Sequence, residues 1–410
     1  MNPRSTARRI AIVGAGPIGL EAAAYARALG HDVIVLEQRD VADAVRSWGF
    51  VAMFSPWGMN TTPLGWRAIG RGMPDQKICP TGNELRETYL LPLAATLSDS
   101  IRTGSQGVAI GRDDFAKGDA IGKADRAASP FRILVRDSGA GGAERVERAD
   151  VVLDCSGTYG HHRWAGRGGI PAPGERAAEP RVWYRLPDVL GADREHFAGR
   201  HTLLLGAGYS AATVLHGLGR LHREDPRTRV SWAIRRVGQA LEAIHDDSLP
   251  ARASLVKGSL ELANHPPEWL QYLGNCTLER IDAGAQFGVT LRYVETDMAL
   301  VVDEVVALVG YAPDASIYEQ LQVHQCYATA GPMKLATALM AGASGGGDCL
   351  AAGAAIGPEA LRNPEPGFFI LGAKSFGTRS NFLLQVGHQQ VRDAFRILHD
   401  DAELDLYRTA

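Results

Sequence analysis

Ile10-Ala-Ile-Val-Gly-Ala-Gly-Pro-Ile-Gly19 is the stretch that decides the fold of this chain. Ile10 to Val13 is an apolar run of the length of a short buried strand. Gly14 to Gly19 comes next as a G-x-G-x-x-G turn, and Leu20 to Leu29 is Ala-rich and reads as a helix with Gly30 as its C-cap. Asp32 to Leu36 is a second apolar strand, closed by Glu37. The whole is one βαβ unit. Each glycine has a physical task there. Gly14 allows the tight turn, Gly16 lets a pyrophosphate approach the backbone, and Gly19 lets helix and strand pack closely. Free N–H groups at the helix start hold the phosphates, and Glu37 can accept from two ribose hydroxyls.

The same pattern returns later. Thr202 to Leu205 reads as a strand, Gly206-Ala-Gly-Tyr-Ser210 as the turn, Ala211 to Leu221 as the helix and Val230 to Ile234 as the next strand. Ala211 replaces the last glycine with another small residue. The second strand ends in Arg235-Arg236 instead of an acid. A carboxylate there repels a 2′-phosphate, whereas a guanidinium binds it with charge-assisted bonds. The second site therefore reads as NADPH-preferring. The bland alternative is a solvated strand end.

Between and beyond the repeats the pattern is less regular. Residues 43 to 75 are rich in Trp, Phe, Pro and Gly without clear periodicity, as in a segment that covers a site. Glu84 to Leu97 reads as helix, 103 to 130 as loop with short strands, and 131 to 136 with 146 to 148 as a hairpin. Val151 to Asp154 is a buried strand, and the Gly- and Pro-rich stretch 166 to 180 reads as a linker. Residues 277 to 309 alternate like a meander, and Phe368 to Leu371 precedes a helix over about 382 to 398.

Composition sets outer limits. A chain of 410 residues suits two or three domains, and 45% hydrophobic with 22% charged residues is a globular mix. A net charge of -3 and no long basic block argue against a nucleic-acid partner. No apolar run is long enough for a bilayer, so no membrane association is expected. The basic start, Met1 to Arg9, runs straight into the first strand, which argues against a cleaved signal. The five cysteines, Cys79, Cys155, Cys276, Cys326 and Cys349, form no C-x-x-C pair, which fits a cytoplasmic location. His161-His162 have no nearby acidic partner in sequence, so no metal site is expected.

On these motifs the chain resembles the two-dinucleotide-binding-domain flavoproteins, the superfamily of flavin-containing monooxygenases and pyridine nucleotide–disulfide reductases. Four further stretches carry the likeness. Asp150-Val-Val-Leu-Asp-Cys-Ser-Gly-Thr158 resembles the crossover strand leaving the first domain, and Phe197-Ala-Gly-Arg resembles the approach to NADPH in the monooxygenases. Asp303 to Asp314, ending in G-x-x-P-D, resembles the return crossover, and Gly367 to Gly377 resembles the last strand of the FAD domain.

The resemblance implies an α/β fold with two nested Rossmann-like dinucleotide-binding domains and β-meander insertions. The FAD domain would comprise residues 1–165 and 305–410, and the NADPH domain 166–304. It implies FAD contacts from Gly14, Gly16, Pro17, Gly19, Glu37, Gln38, Arg46, Trp48, Gly157, Gly310, Gly372, Lys374 and Asn381. It implies NADPH contacts from Gly206, Gly208, Tyr209, Ser210, Arg235 and Arg236. Trp48, Ser55 and Pro56 fall where the family covers the isoalloxazine, with ordinary interface core as the alternative. The last helix would point its N-terminus at the flavin, with Asn381 as a contact or a simple N-cap. Trp48, Ser55 and Asn381 are thus the catalytic candidates.

Three departures matter. Gly372-Ala373-Lys374 stands where the family has Gly-Asp, so Lys374 would neutralise phosphate or lie on the surface. The redox C-x-x-C is absent, with Cys155 alone in its strand. His201 only partly fits the monooxygenase approach motif. Taken with the resemblance, these features imply an NADPH-using flavin oxidoreductase acting on a small-molecule substrate. The preferred form is a monooxygenase that uses molecular oxygen through a C4a-hydroperoxide. A reductase or oxidase without oxygen insertion and a redox-sensing flavoprotein stand as alternatives. The resemblance leaves room for a homodimer.

Overall fold

The computed structural model describes residues 7–139, 141–235, 241, 243–343 and 356–408. The chain divides into two compact units, Met1–His161 with Ala312–Ala410, and His162–Tyr311.

The first unit opens with β1 (Arg9–Val13), α1 (Pro17–Ala28) and β2 (Asp32–Leu36). The helix begins at Pro17, three residues before the expected Leu20, because proline needs no donor in the first turn and its fixed φ suits helix entry. It closes as a Schellman motif. Gly30 has φ +81°, His31 N donates to Ala26 O at 3.1 Å, and Gly30 N donates to Arg27 O at 2.9 Å.

Residues 43 to 75 are not irregular throughout. They hold three short helices, α2 (Asp43–Ser47), α3 (Trp57–Asn60) and α4 (Pro63–Ile69). Proline entry and glycine exit hide helices this short from a periodicity test: Thr62 caps α4 and Gly70 ends it at φ +70°. Next come α5 (Gly82–Leu85), a π turn over Arg86–Leu90 and α6 (Leu91–Ala95). Pro92, which has no N–H for the preceding turn, lies just beyond the π turn. After β3 (Ile101–Arg102) comes an antiparallel sheet of β4 (Ser105–Arg112), β5 (Phe131–Asp137) and β6 (Glu144–Ala149), with α7 (Ala124–Ala128) in between. The stretch expected as loop with short strands thus contains one strand of eight residues. β7 (Val151–Asp154) is next.

The second unit starts with α8 (Glu175–Ala178) and α9 (Arg194–Phe197). Its core is β8 (His201–Leu205), α10 (Tyr209–Glu224), β9 (Arg229–Ala233), α11 (Pro250–Asn264) and β10 (Leu270–Leu273). β11 (Cys276–Ala283), β12 (Phe287–Tyr293) and β13 (Thr296–Val302) form an antiparallel meander, and β14 (Glu304–Ala307) joins β8 in a parallel sheet ordered β10-β9-β8-β14. The division therefore falls after Tyr311, not between 304 and 305, because cutting there would strip an edge strand from this sheet. The stretch 166–180 is likewise part of this unit rather than a linker. Its buried Glu175 accepts from Ala165 N, Ala172 N and Tyr184 Oη, each at 2.7 Å.

The chain re-enters the first unit through α12 (Met333–Ala343), β15 (Phe368–Ile370) and α13 (Leu384–His399). This completes a parallel sheet ordered β15-β7-β1-β2-β3. Strand alternation builds both sides of its core. Ile10, Ile12, Val33 and Val35 face α1 and α13, where Tyr25 stacks on Phe395. Ala11, Val13, Ile34 and Leu36 face Ile110, Phe131 and Ile133 of the antiparallel sheet.

Candidate functional site

The first glycine turn sits at the C-terminal end of β1, the end at which ligands bind in open α/β sheets. Gly14 has φ +102°, and its N–H donates to Leu36 O at 2.8 Å. A Cβ on Gly14 would lie 2.7 Å from Cys155 O, and one on Gly19 would lie 1.9 Å from Gly14 O. Both positions are therefore closed to side chains by backbone. Gly16 is different: a Cβ there would meet nothing within 4 Å. Its openness leaves the start of α1 clear for a phosphate. Glu37 closes β2, where Oε2 accepts from Ala15 N and Oε1 from Arg39 N, both at 2.8 Å. Burial raises its pKa, while those two amides act the other way. Each oxygen keeps a second lone pair for a ribose hydroxyl. Gln38 is exposed beside it.

The second turn repeats this geometry. Gly206 has φ +135°, and a Cβ there would lie 2.3 Å from Leu308 O. Gly208 again faces open space, and Tyr209 and Ser210 begin α10. A cavity of about 140 Å3 adjoins this turn, with Arg235 at its edge. Arg235 is exposed, and Arg236 lies outside the described residues.

The tail turn around Gly372 departs most from the sequence expectation. Lys374 is neither on the surface nor free for a phosphate; it is 1% exposed. Its Nζ lies 2.7 Å from Asp154 Oδ2, off the hydrogen-bond direction, and donates to Ser156 Oγ at 2.9 Å. The Tyr318 ring lies 5.2 Å from the ammonium. Ser156 N and Oγ both donate to Asp154 Oδ1, at 3.1 and 2.7 Å. The ion pair thus ties the end of β7 to the turn after β15. Gly372 has φ +72°, and its N–H donates to Gln390 Oε1 at 2.8 Å, so α13 also holds this turn.

Asn381 is not the N-cap of α13, since Leu383 occupies that position. Its Oδ1 is buried and accepts no hydrogen bond. An orphaned buried acceptor costs about 1–3 kcal/mol unless a donor meets it. Trp48 ends α2, and its ring would lie 2.6 Å from a Cβ on Gly82. Ser55 is buried and donates to Asn60 Oδ1 at 2.7 Å, which commits its hydroxyl to its own loop. Pro56 caps α3. Arg46 pairs with Asp43 on the surface. Gly157 and Gly310 both have positive φ, and Gly310 O accepts from Arg163 N at 2.9 Å.

Cys79, Cys155, Cys276 and Cys326 are free cysteines. Burial, then the nearby Asp154 charge, pushes the Cys155 thiol far up, so it is no thiolate at neutral pH. Cys349 lies outside the described residues. His162 stacks on Tyr184 at 3.7 Å and pairs with Glu179 at 2.9 Å. Among the described residues no group of three or more His, Cys, Asp or Glu could hold a metal, and no helix is long and apolar enough to cross a membrane. Phe197 is packed in the core and His201 opens β8, so the approach motif sits at the opposite end of that strand from Gly206. The small-residue-rich segment from Gly331 to Asp348 carries α12, and its residues beyond 343 lie outside the described residues.

Sequence reading missed Asp154, Tyr318, Gln390 and Arg163. One signal was available. Asp154 ends an otherwise apolar strand, and such a carboxylate needs a cation.

The pyridine nucleotide-disulphide oxidoreductase family model matches residues 1–45. Among curated proteins none matches this chain. Solved structures match over nearly the whole length. A bacillithiol disulfide reductase from Bacillus cereus is 15% identical at TM-score 0.69, covering 96% of this chain and 99% of that one. An ornithine N-hydroxylase from Kutzneria sp. 744 is 14% identical at TM-score 0.61, with 96% and 99% covered. A thioredoxin reductase from T. acidophilum is 17% identical at TM-score 0.58, with 96% and 98% covered. The fold is that of the two-dinucleotide-binding-domain flavoproteins.

Proposed function

We propose that this protein is an NADPH-dependent flavin oxidoreductase, and more narrowly a monooxygenase of a small molecule. The observation that carries the coarser reading is the pair of matched turns. Each has a positive-φ glycine locked against a neighbouring strand carbonyl and an open glycine at a helix start. FAD fits the first, where Glu37 offers free lone pairs and the Asn381 carbonyl lacks a donor. NADPH fits the second, where Arg235 replaces the acid.

When bound, the flavin supplies hydride acceptance and, once reduced, electrons for oxygen. The chain's own residues do the rest. The α1 and α10 N-termini orient the phosphates. The Lys374–Asp154 pair fixes the tail turn. The segment from Trp48 to Trp57 would exclude water from the flavin. The narrower reading is supported by the likeness in fold to an ornithine N-hydroxylase and by the lack of a C-x-x-C pair in the sequence. The test is stopped-flow oxidation of the NADPH-reduced protein with candidate amines and thioethers. Oxygenated product and a transient before reoxidation are expected. Direct reoxidation with full peroxide release would move the reading to an oxidase or reductase.

A further inference from the structure

We infer that Arg163, together with Arg235, supplies a second guanidinium to the 2′-phosphate of the nicotinamide dinucleotide. This deepens the NADPH reading and rests on it. Both arginines line the cavity of about 140 Å3 beside Gly206 and Ala207, and among the described residues no Asp or Glu lines it. Among the described residues, neither guanidinium has a hydrogen bond or ion pair. A wall whose described residues bring two unpaired cations and no acid suits an anion.

The local backbone supports the assignment. Arg163 N donates to Gly310 O at 2.9 Å, so the main chain is anchored whatever the side chain does. Its neighbour His162 is fixed by the Tyr184 stack and by Glu179. Around the Arg163 side chain the chain places Gly310 and Gly169, both at positive φ. A Cβ on either would sit 3.9 or 4.0 Å from the arginine, an ordinary van der Waals contact, so these two loops flank the side chain without crowding it. The pyrophosphate already has a seat at the open Gly208 and the start of α10. The surplus positive charge at Arg163 is therefore assigned to the group that distinguishes NADPH from NADH.

The experiment is calorimetric titration of the flavin-loaded protein with NADP+, NAD+, 2′,5′-ADP and 5′-AMP, comparing the native chain with Arg163→Ala and Arg163→Gln. Charge-assisted bonds of this kind correspond to a loss of about 10- to 100-fold for NADP+ and 2′,5′-ADP. NAD+ and 5′-AMP should bind as before. Arg163→Gln keeps the side-chain stem and should show the same selective loss, which separates lost charge from lost packing. An equal loss for all four ligands overturns the proposal in favour of a pyrophosphate contact or a packing effect. No loss for any of them overturns it outright. If the native protein binds none of the four, the dinucleotide reading of this turn falls, whatever Arg163 does.

Discussion

The two glycine turns are built alike and differ in what surrounds them. In both, the first glycine abuts the carbonyl of the residue just past a parallel strand, Cys155 after β7 and Leu308 after β14. In both, the middle glycine is open. The third position differs: Gly19 could not carry a Cβ, whereas Ala211 does. The strand ends differ in charge, Glu37 against Arg235. The last residue of the crossover strand differs too, buried Asp154 against Ala307. On the proposed reading, the turn sets that a dinucleotide is held, and the flanking residues set which one.

The sharpest way to break this comparison is to separate closed glycines from open ones. Gly14→Val puts a β-branched residue at φ +102° with its Cβ against Cys155 O, which should cost about 4–5 kcal/mol. Gly206→Val should do the same in the second unit. A Cβ at Gly16 meets no protein atom within 4 Å, so Gly16→Val should leave the flavin-free protein melting within about 2 °C of native, yet abolish flavin retention. Thermal melts with and without FAD read both outcomes. Full flavin content in Gly16→Val would sink the assignment of this turn.

Next in size is the buried ion pair. Lys374→Met leaves Asp154 charged and unpaired in the core, a loss of about 3–5 kcal/mol. Converting the pair to Met and Leu together should recover most of it. Ala307→Asp places a carboxylate at the matching position of the second unit, where no lysine waits, and should destabilise by a comparable amount. Denaturant midpoints measure all three. If Lys374→Met melts like the native protein, the ion pair does not hold the tail turn.

Charge at the strand end comes third. Arg235→Ala should lower NADPH affinity by about 10- to 100-fold while NADH reduction of the flavin stays nearly constant. Equal use of NADPH and NADH by the native enzyme would show that β9 ends in an ordinary solvated arginine.

The range of each interaction decides how much of this was legible in the chain. The turns, the parallel strands and the last helix were readable because each is coded within a few residues by apolar periodicity and glycine spacing. Lys374 was misread because its partner lies in a strand more than two hundred residues earlier, and no local signal reports that meeting. Arg163 escaped for the same reason, sitting in a stretch whose neighbours in sequence give no hint of the second turn. Asn381 was expected as a contact or the N-cap of the last helix, but it does not cap it, because α13 begins at Leu384 and not at Phe382. The short helices of 43 to 75 defeat any test that needs more than one turn of periodicity.

The smallest expected effect concerns the two helices themselves. Five residues past the open glycine, α1 carries Glu21 and α10 carries Thr213. Thr213 bonds its own helix at Tyr209 O and does not titrate. Glu21 is fully buried and accepts from Thr62 Oγ1 at 2.8 Å and Tyr89 Oη at 3.0 Å. Burial outweighs those bonds and pushes its carboxyl up to about 7. Between the ordinary carboxyl range and 7 the folded chain then holds a proton that the unfolded chain has lost. Stability from this group is complete in the acid range and is lost as the pH rises through 7. His388 works in the opposite sense. Burial lowers it to about 3, so its share is lost as the pH falls below the ordinary imidazole value. Glu21→Gln retains the shape and removes only the first slope, while His388 cancels between the two proteins. The melting-temperature difference, variant minus native, should be near zero at pH 5 and rise to about 2–6 °C at pH 8. A difference that stays flat across that range would mean that α1 carries a merely polar glutamate, and that the two helices are equally indifferent to pH.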